Sequence, residues 1–210
     1  MRTKGLFGLS LLWVFSASIL ATIYLAWFAY PLEIEWLGLE KLTHLSGATI
    51  SRNFGILMDY LTNPFTCRLS MPDFPSSKNG LHHFQAVKYL FHAAQAVFLL
   101  CLPAAIAFYR TVIKKGYLHL FRRALLALIF LPLAILGLAF LMGFDQFFIF
   151  FHQILFVGDS TWLFDPSQDP IIWVLPETFF LHAFVLFFLI FEGSLALLYG
   201  LAWWDMRKQT

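Results

Sequence analysis

The chain has 210 residues, of which 60% are hydrophobic and 12% charged, with a formal net charge of +2. A soluble domain carries about 25% charged residues, so this composition excludes an ordinary water-soluble globule and indicates an integral membrane protein. The small net charge provides no strongly basic surface for nucleic acid, and two cysteines without a C-x-x-C pair argue against a thiol oxidoreductase.

Four apolar segments reach the roughly 20 residues that a membrane helix needs. In chain order they cover residues 5–30, 86–109, 124–144 and 179–204. The first follows Arg2 and Lys4, as a signal peptide would. Its apolar run is longer than an h-region, however, and ends in Trp27, Phe28 and Tyr30 rather than small residues, so it reads as an uncleaved anchor. In the long loop that follows, residues 31–85, the positions Ile50, Phe54, Leu57, Met58 and Leu61 recur at helical spacing. They predict an amphipathic helix capped by Thr49 or Ser51 and ended by Asn63-Pro64. The stretch PFTCRLSMPDFPSSKNG reads as irregular. The second span carries Lys88, His92 and Gln95. With Gln85 they form one polar stripe that lipid would penalise, so the stripe is expected to face other helices or a wet cavity. Residues 110–123 form a short basic loop, and residues 145–178 a second long, turn-rich one. Glu192 lies inside the fourth span.

Basic residues set the orientation. Arg2, Lys4, Arg110, Lys114, Lys115, Arg122, Arg123, Arg207 and Lys208 all fall on one side of the four spans, which the positive-inside rule makes cytoplasmic. Both termini are then inside, and loops 31–85 and 145–178 face outward. The expected architecture is an all-α integral membrane protein, a four-helix bundle with a small extracytoplasmic head built from the two outer loops. Cys67 and Cys101 are separated by much of the membrane's depth, which disfavours a disulfide.

Because the length is spent outside, function is expected at the outer pole. His82 and His83 stand at the outer mouth of the second span. His152 stands just past the outer end of the third, after the run Phe147, Phe148, Ile149, Phe150, Phe151. An imidazole titrates near neutrality and suits general acid–base work; position alone favours hydrated or helix-capping interfacial histidines over that role. No G-x-S-x-G elbow, H-E-x-x-H pattern or Gly-rich phosphate loop is present, and only His92 lies well inside a span, which disfavours haem.

The stretches NFGILMDYL, GLHHFQAVKYLF and FHQILFVGDSTWLFDPSQDPIIWVLPETFF resemble the lipoprotein intramolecular transacylase (Lit) family of Gram-positive bacteria. The match rests on His83-Phe84 before Val87-Lys88, and on His152 followed by Trp162, Asp165, Leu175-Pro176, Glu177 and Phe179-Phe180. Two positions depart from the common pattern: Ala86 stands where an acid is frequent, and Val157-Gly158-Asp159 where Pro-Gly-Asn is common.

The resemblance implies an acyltransferase without cofactor or metal. It would move the sn-2 acyl chain of a diacylglyceryl lipoprotein to the α-amine of its N-terminal Cys, leaving the lyso form. It implies His83 and His152 as the catalytic pair, with His83 favoured as base, and Lys88 as a candidate oxyanion stabiliser. Asn53, Tyr60, Trp162, Asp165 and Glu177 would be walls or orienters. The implied partners are the lipoprotein substrate and membrane lipids, with no nucleic acid. Two other readings stand beside it: a non-catalytic lipid- or partner-binding protein, and a small proton-coupled transporter using Glu192 and His92.

Overall fold

The computed structural model describes residues 2–208. Among the described residues every regular element is helical: α1 (Arg2–Trp36), the short α2 (Leu39–Thr43), α3 (Gly47–Thr62), α4 (Lys78–Phe108), α5 (Arg122–Met142), α6 (Phe144–Leu155) and α7 (Glu177–Arg207). A π-helical turn (Tyr109–Ile113) follows α4, and short 3-10 turns occupy Leu118–Phe121 and Pro170–Trp173. Four stretches are long and apolar enough to cross a membrane: Thr3–Trp36, Lys78–Ile113, Leu118–Met142 and Glu177–Arg207. The chain is an all-helical integral membrane protein.

The helices extend beyond the predicted spans. α1 continues through Pro31 to Trp36, because a membrane helix can satisfy the carbonyl that proline frees. α4 starts at Lys78, so His82 and His83 sit on a helix. The loop expected from residue 145 opens with helix α6 instead. Gly143, at φ 82 and ψ 149, breaks the chain between α5 and α6, a backbone conformation that glycine adopts readily.

The chain divides into two compact units. Residues 2–22, 94–143 and 184–208 form one, and Ile23–Ala93 with Phe144–Ala183 form the other. The first unit has a small core of Phe108, Val112, Leu118, Leu125 and Ala202. Its buried hydroxyls turn back on their own helix: Ser10 donates to the Leu6 carbonyl at 2.7 Å and Ser18 to that of Val14 at 2.8 Å. A cavity of about 320 Å³ in this unit is lined by apolar residues such as Leu11, Leu102, Phe108 and Ile113.

The second unit holds the larger core, in which Tyr30, Phe54 and Phe179 pack ring to ring; Tyr30 and Phe54 stack with centroids 3.6 Å apart. Here the buried polar groups reach across the chain. The Tyr30 hydroxyl donates to the Val174 carbonyl at 2.6 Å. Asn53, fully buried, donates to the Asp73 carboxylate at 2.7 Å and accepts from the Asp73 N–H at 3.2 Å. Asp169 accepts from the Ser77 N–H at 2.8 Å and from its hydroxyl at 2.7 Å. A Cβ at position 80 would overlap Asp169 Oδ1, so glycine is required there. The predicted amphipathic helix is α3. Its cap is Ser46, whose Oγ accepts from the Thr49 N–H at 3.2 Å, so Thr49 is a donor to the cap and Ser51 lies within the helix. The C-cap is Asn63, as the Asn-Pro step predicts.

Candidate functional site

His83 and His152 meet in the second unit, with ring centroids 5.9 Å apart and planes at 36°. One comes from the second turn of α4, the other from the last turn of α6. The pair is walled by Phe148 and Phe151 of the phenylalanine-dense α6 and by Phe156, Trp162 and Phe164 of the segment after it. The Phe156 ring lies 4.9 Å from His83 and 5.8 Å from His152. Phe164 meets His83 edge-on at 5.5 Å. Phe148 lies 4.3 Å from His152, and Trp162 stacks on that imidazole at 4.9 Å.

The hydrogen bonds define the chemistry further. His152 Nδ1 lies 2.8 Å from the Phe148 carbonyl. A carbonyl only accepts, so Nδ1 carries the proton and Nε2 is left as the basic nitrogen. Burial pushes the His152 pKa below its ordinary value, and the bond to Phe148 opposes that shift only in part. The ring is therefore neutral at pH 7, the form that can take a proton. His83 is 7% exposed, and its Nδ1 is buried with no hydrogen-bond partner. A buried polar atom without a partner is costly. Among the described residues no carboxylate is bonded to either imidazole.

A carboxylate stands close by. Asp159 Oδ2 lies 3.2 Å from His82 Nε2. The Thr161 backbone N–H, and then the His82 and His83 imidazoles, hold its carboxyl below the usual range. Trp162 donates its indole N–H to the Asp159 carbonyl at 3.1 Å.

The other residues singled out from sequence are distributed around the unit. Lys88 Nζ donates to the carbonyls of Asn63 (3.1 Å) and Thr66 (2.6 Å) and lies 4.4 Å above the Tyr60 ring. Asn53 is occupied by Asp73. Asp165 closes its own turn, accepting from the Ser167 N–H at 2.9 Å and hydroxyl at 2.7 Å. The Glu177 side chain, at the start of α7, is hydrogen-bonded to Asp145. The polar stripe on α4 is not one seam. Gln85 is exposed and bonds the Tyr89 hydroxyl at 3.0 Å, Lys88 is committed to the carbonyls, and His92 Nε2 is buried without a partner. Glu192, in the first unit, has one buried carboxyl oxygen without a partner. Both cysteines are free thiols. Among the described residues no group of His, Cys, Asp and Glu is arranged to hold a metal.

Sequence reasoning misses three features of this unit. The His82–Asp159 contact joins residues far apart in the chain, and no motif links them. Phe156 and Phe164 do not stand out among 26 phenylalanines. The third is Glu33 with His182: His182 Nδ1 sits 3.0 and 2.9 Å from the two Glu33 oxygens. Ending the first span at Tyr30 puts Glu33 in the outer loop, whereas it lies on α1. Only this last feature carries a signal in the sequence, since residues 32–36 continue the helical pattern past the proline.

The likeness to known proteins extends over most of the chain. The family model described as "Lipoprotein intramolecular transacylase Lit" matches residues 5–180. The chain is similar to the in meso structure of the membrane integral lipoprotein intramolecular transacylase Lit from Bacillus cereus. The TM-score is 0.86 and the identity 30%, covering 99% of this chain and 95% of that one. Two further structures of the Bacillus cereus protein, each with one histidine substituted, match at 29% identity. The arginine variant has a TM-score of 0.79, covering 100% of this chain and 93% of that one. The alanine variant has a TM-score of 0.80, covering 99% and 93%. No curated protein sequence matches significantly.

Proposed function

This chain belongs to the family of lipoprotein intramolecular transacylases, and we propose that His83 and His152 are the acid–base pair of its reaction. It is a membrane-integral acyltransferase. The substrate is a diacylglyceryl lipoprotein whose N-terminal Cys has a free α-amine. The amine loses its ammonium proton and attacks the sn-2 ester carbonyl, forming a C–N bond. The tetrahedral oxyanion collapses, the C–O bond to glycerol breaks, and the acyl chain is left on nitrogen. One N–H proton must leave the nitrogen and one must reach the departing glycerol oxygen, so the reaction needs a base and an acid but no external reagent. Nucleophile and ester belong to one molecule, and proximity supplies much of the rate.

The observation that carries this reading is the convergence of two imidazoles with opposite hydrogen-bonding states. His152 is held in the tautomer that leaves Nε2 basic, which favours it over His83 as the base. His83 has an unpartnered nitrogen in the same aromatic cage; it takes up, through the bound substrate, the proton that His152 removes from nitrogen and passes one to the glycerol oxygen, so that both rings end neutral. A spacing of 5.9 Å between rings exceeds the roughly 3 Å of a direct proton transfer, which suits transfer through a substrate seated between them. Trp162 orients His152. Lys88, with Asn53 and Tyr60, holds the chain around α3, and Asp165 and Glu177 shape the turn that precedes α7. The basic residues of the connecting loops favour cytoplasmic termini and a histidine pair at the outer leaflet.

Expression in a host lacking N-acylated lipoproteins, followed by mass spectrometry of one lipoprotein N-terminus, tests the reading. The chain should move an acyl group to nitrogen, and His83→Ala or His152→Ala should leave the diacyl form. Full conversion by both variants would overturn it.

A further inference from the structure

We propose that His82 and Asp159 form a positioning latch that holds the turn after α6, and with it Trp162, over the histidine pair; this rests on the reading of that pair as acid and base. Asp159 is the hub of the turn. Its N–H donates to the Phe156 carbonyl at 3.0 Å. Its carbonyl accepts the Trp162 indole N–H at 3.1 Å. Its carboxylate is divided: Oδ1 accepts the Thr161 N–H at 2.8 Å, and Oδ2 reaches His82 Nε2 at 3.2 Å. One oxygen therefore orders the turn and the other ties it to α4. Gly158, at φ 78, supplies the left-handed step that brings Asp159 round.

Both ends of the latch adjoin the reacting groups. His82 directly precedes His83 on α4. The turn that Asp159 closes carries Phe156 and Trp162, which pack on the imidazoles at 4.9 Å each. The latch thus fixes the α4 imidazole and the α6 imidazole in one frame without bonding to either. Its contribution is to geometry rather than to the fold. The His82 side chain is 62% exposed and that of Asp159 25%, and exposed pairs of this kind add little to global stability. A small displacement of an acid–base group, in contrast, is expensive in rate.

The test uses the full chain in detergent micelles with a synthetic diacylglyceryl lipopeptide, measuring kcat, KM and the thermal midpoint of His82→Ala, Asp159→Ala, the double variant and His82→Lys. Each single alanine variant should lower kcat about tenfold, short of the roughly 10²-fold that a full 1 Å misplacement can cost, with KM and midpoint unchanged. The double variant should be no slower than the slower single one, since both remove the same contact. His82→Lys, which supplies a donor to Asp159 from the same position, should recover most of the kcat lost in His82→Ala. Unchanged kcat in the single variants, multiplied losses in the double one, or no recovery with lysine would overturn the latch. So would kcat losses that track falling midpoints. If His152→Ala is inactive while the latch variants match wild type, only the latch fails; if His152→Ala is itself fully active, the acid–base reading fails first.

Discussion

The two units of the chain treat their buried polar atoms in opposite ways. In the first, Ser10, Ser18 and Ser194 each donate to a carbonyl four residues back on their own helix. Such bonds are local; the long-range polar contacts of this unit, Leu118 N–H to Asp205 at 3.3 Å and Arg122 to Met206 at 3.4 Å, are only part-buried. In the second, Asn53 meets Asp73, Asp169 meets Ser77, Tyr30 meets Val174 and Glu33 meets His182. Those contacts link segments distant in sequence, and the histidine pair is found in this unit. The difference teaches that a membrane helix can hide a hydroxyl anywhere, whereas holding two imidazoles at a set spacing takes a network of satisfied long-range bonds.

The largest expected effect lies at the pair itself. Losing one general acid or base should cost about 10²- to 10⁴-fold in turnover, so His152→Ala and His83→Ala should give no lyso-form lipoprotein by mass spectrometry. Glu192→Gln, in the first unit, should leave conversion at the wild-type level; its failure would favour a proton-transport reading and break the contrast between the units.

Next come the long-range bonds. Asp169→Ala removes the acceptor for two Ser77 bonds in a residue 3% exposed. It should cost about 1–2 kcal/mol by removing two hydrogen bonds to the half-buried Ser77, read as a lower thermal midpoint in detergent. Ser18→Ala, which removes a bond within one helix, should stay within about 0.5 kcal/mol. Equal losses from the two would erase the distinction.

A smaller effect is expected from pH. The His152 pKa is depressed by burial, so its neutral, basic form persists below about pH 6.5, the ordinary histidine value. Divided by the fraction of substrate amine that is unprotonated (an α-amino group titrates at about 7.7–8.0), the kcat/KM profile should therefore be flat from neutrality to about 6.5 and fall only on further acidification; a residual acid limb at or above 6.5 would contradict the assignment of His152 as base. The stability sign follows from the same shift. Below about 6.5 the unfolded chain binds the His152 proton more readily than the folded one. That contribution therefore destabilises as pH falls from 6.5 towards the folded pKa, and above 6.5 it vanishes. The smallest effect should come from Trp162→Phe, which keeps an aromatic face on His152 and loses only the bond to the Asp159 carbonyl. A loss of about 2- to 5-fold in kcat, the scale of about 0.5–1 kcal/mol for one neutral hydrogen bond, is expected.

Much of the site is legible in the residues alone. The motif shared with the transacylase family singles out His83, His152 and Trp162 together, and the three converge. Lys88 is equally visible and equally suggestive, yet its ammonium is consumed by two carbonyls and a tyrosine ring. A sequence shows that a cation is present on a helix face but not which acceptors will surround it. Asp159 illustrates the converse. Nothing marks it among the acids of loop 145–178 until the turn at Gly158 carries its carboxylate to His82.

Hydropathy, charge asymmetry and helical spacing are one-dimensional, and they suffice for four membrane-length helices, the amphipathic α3 and a histidine cluster outside the most apolar stretches. Lipid enforces that much, because it penalises every exposed backbone and charged group along the chain. The folded arrangement decides the rest: which nitrogen of His152 is basic, that His83 keeps an unpartnered atom, and that α4 and the turn after α6 are tied at one point. Those are matters of direction and of distances of a few ångströms between segments far apart in the chain, and only packed side chains specify them.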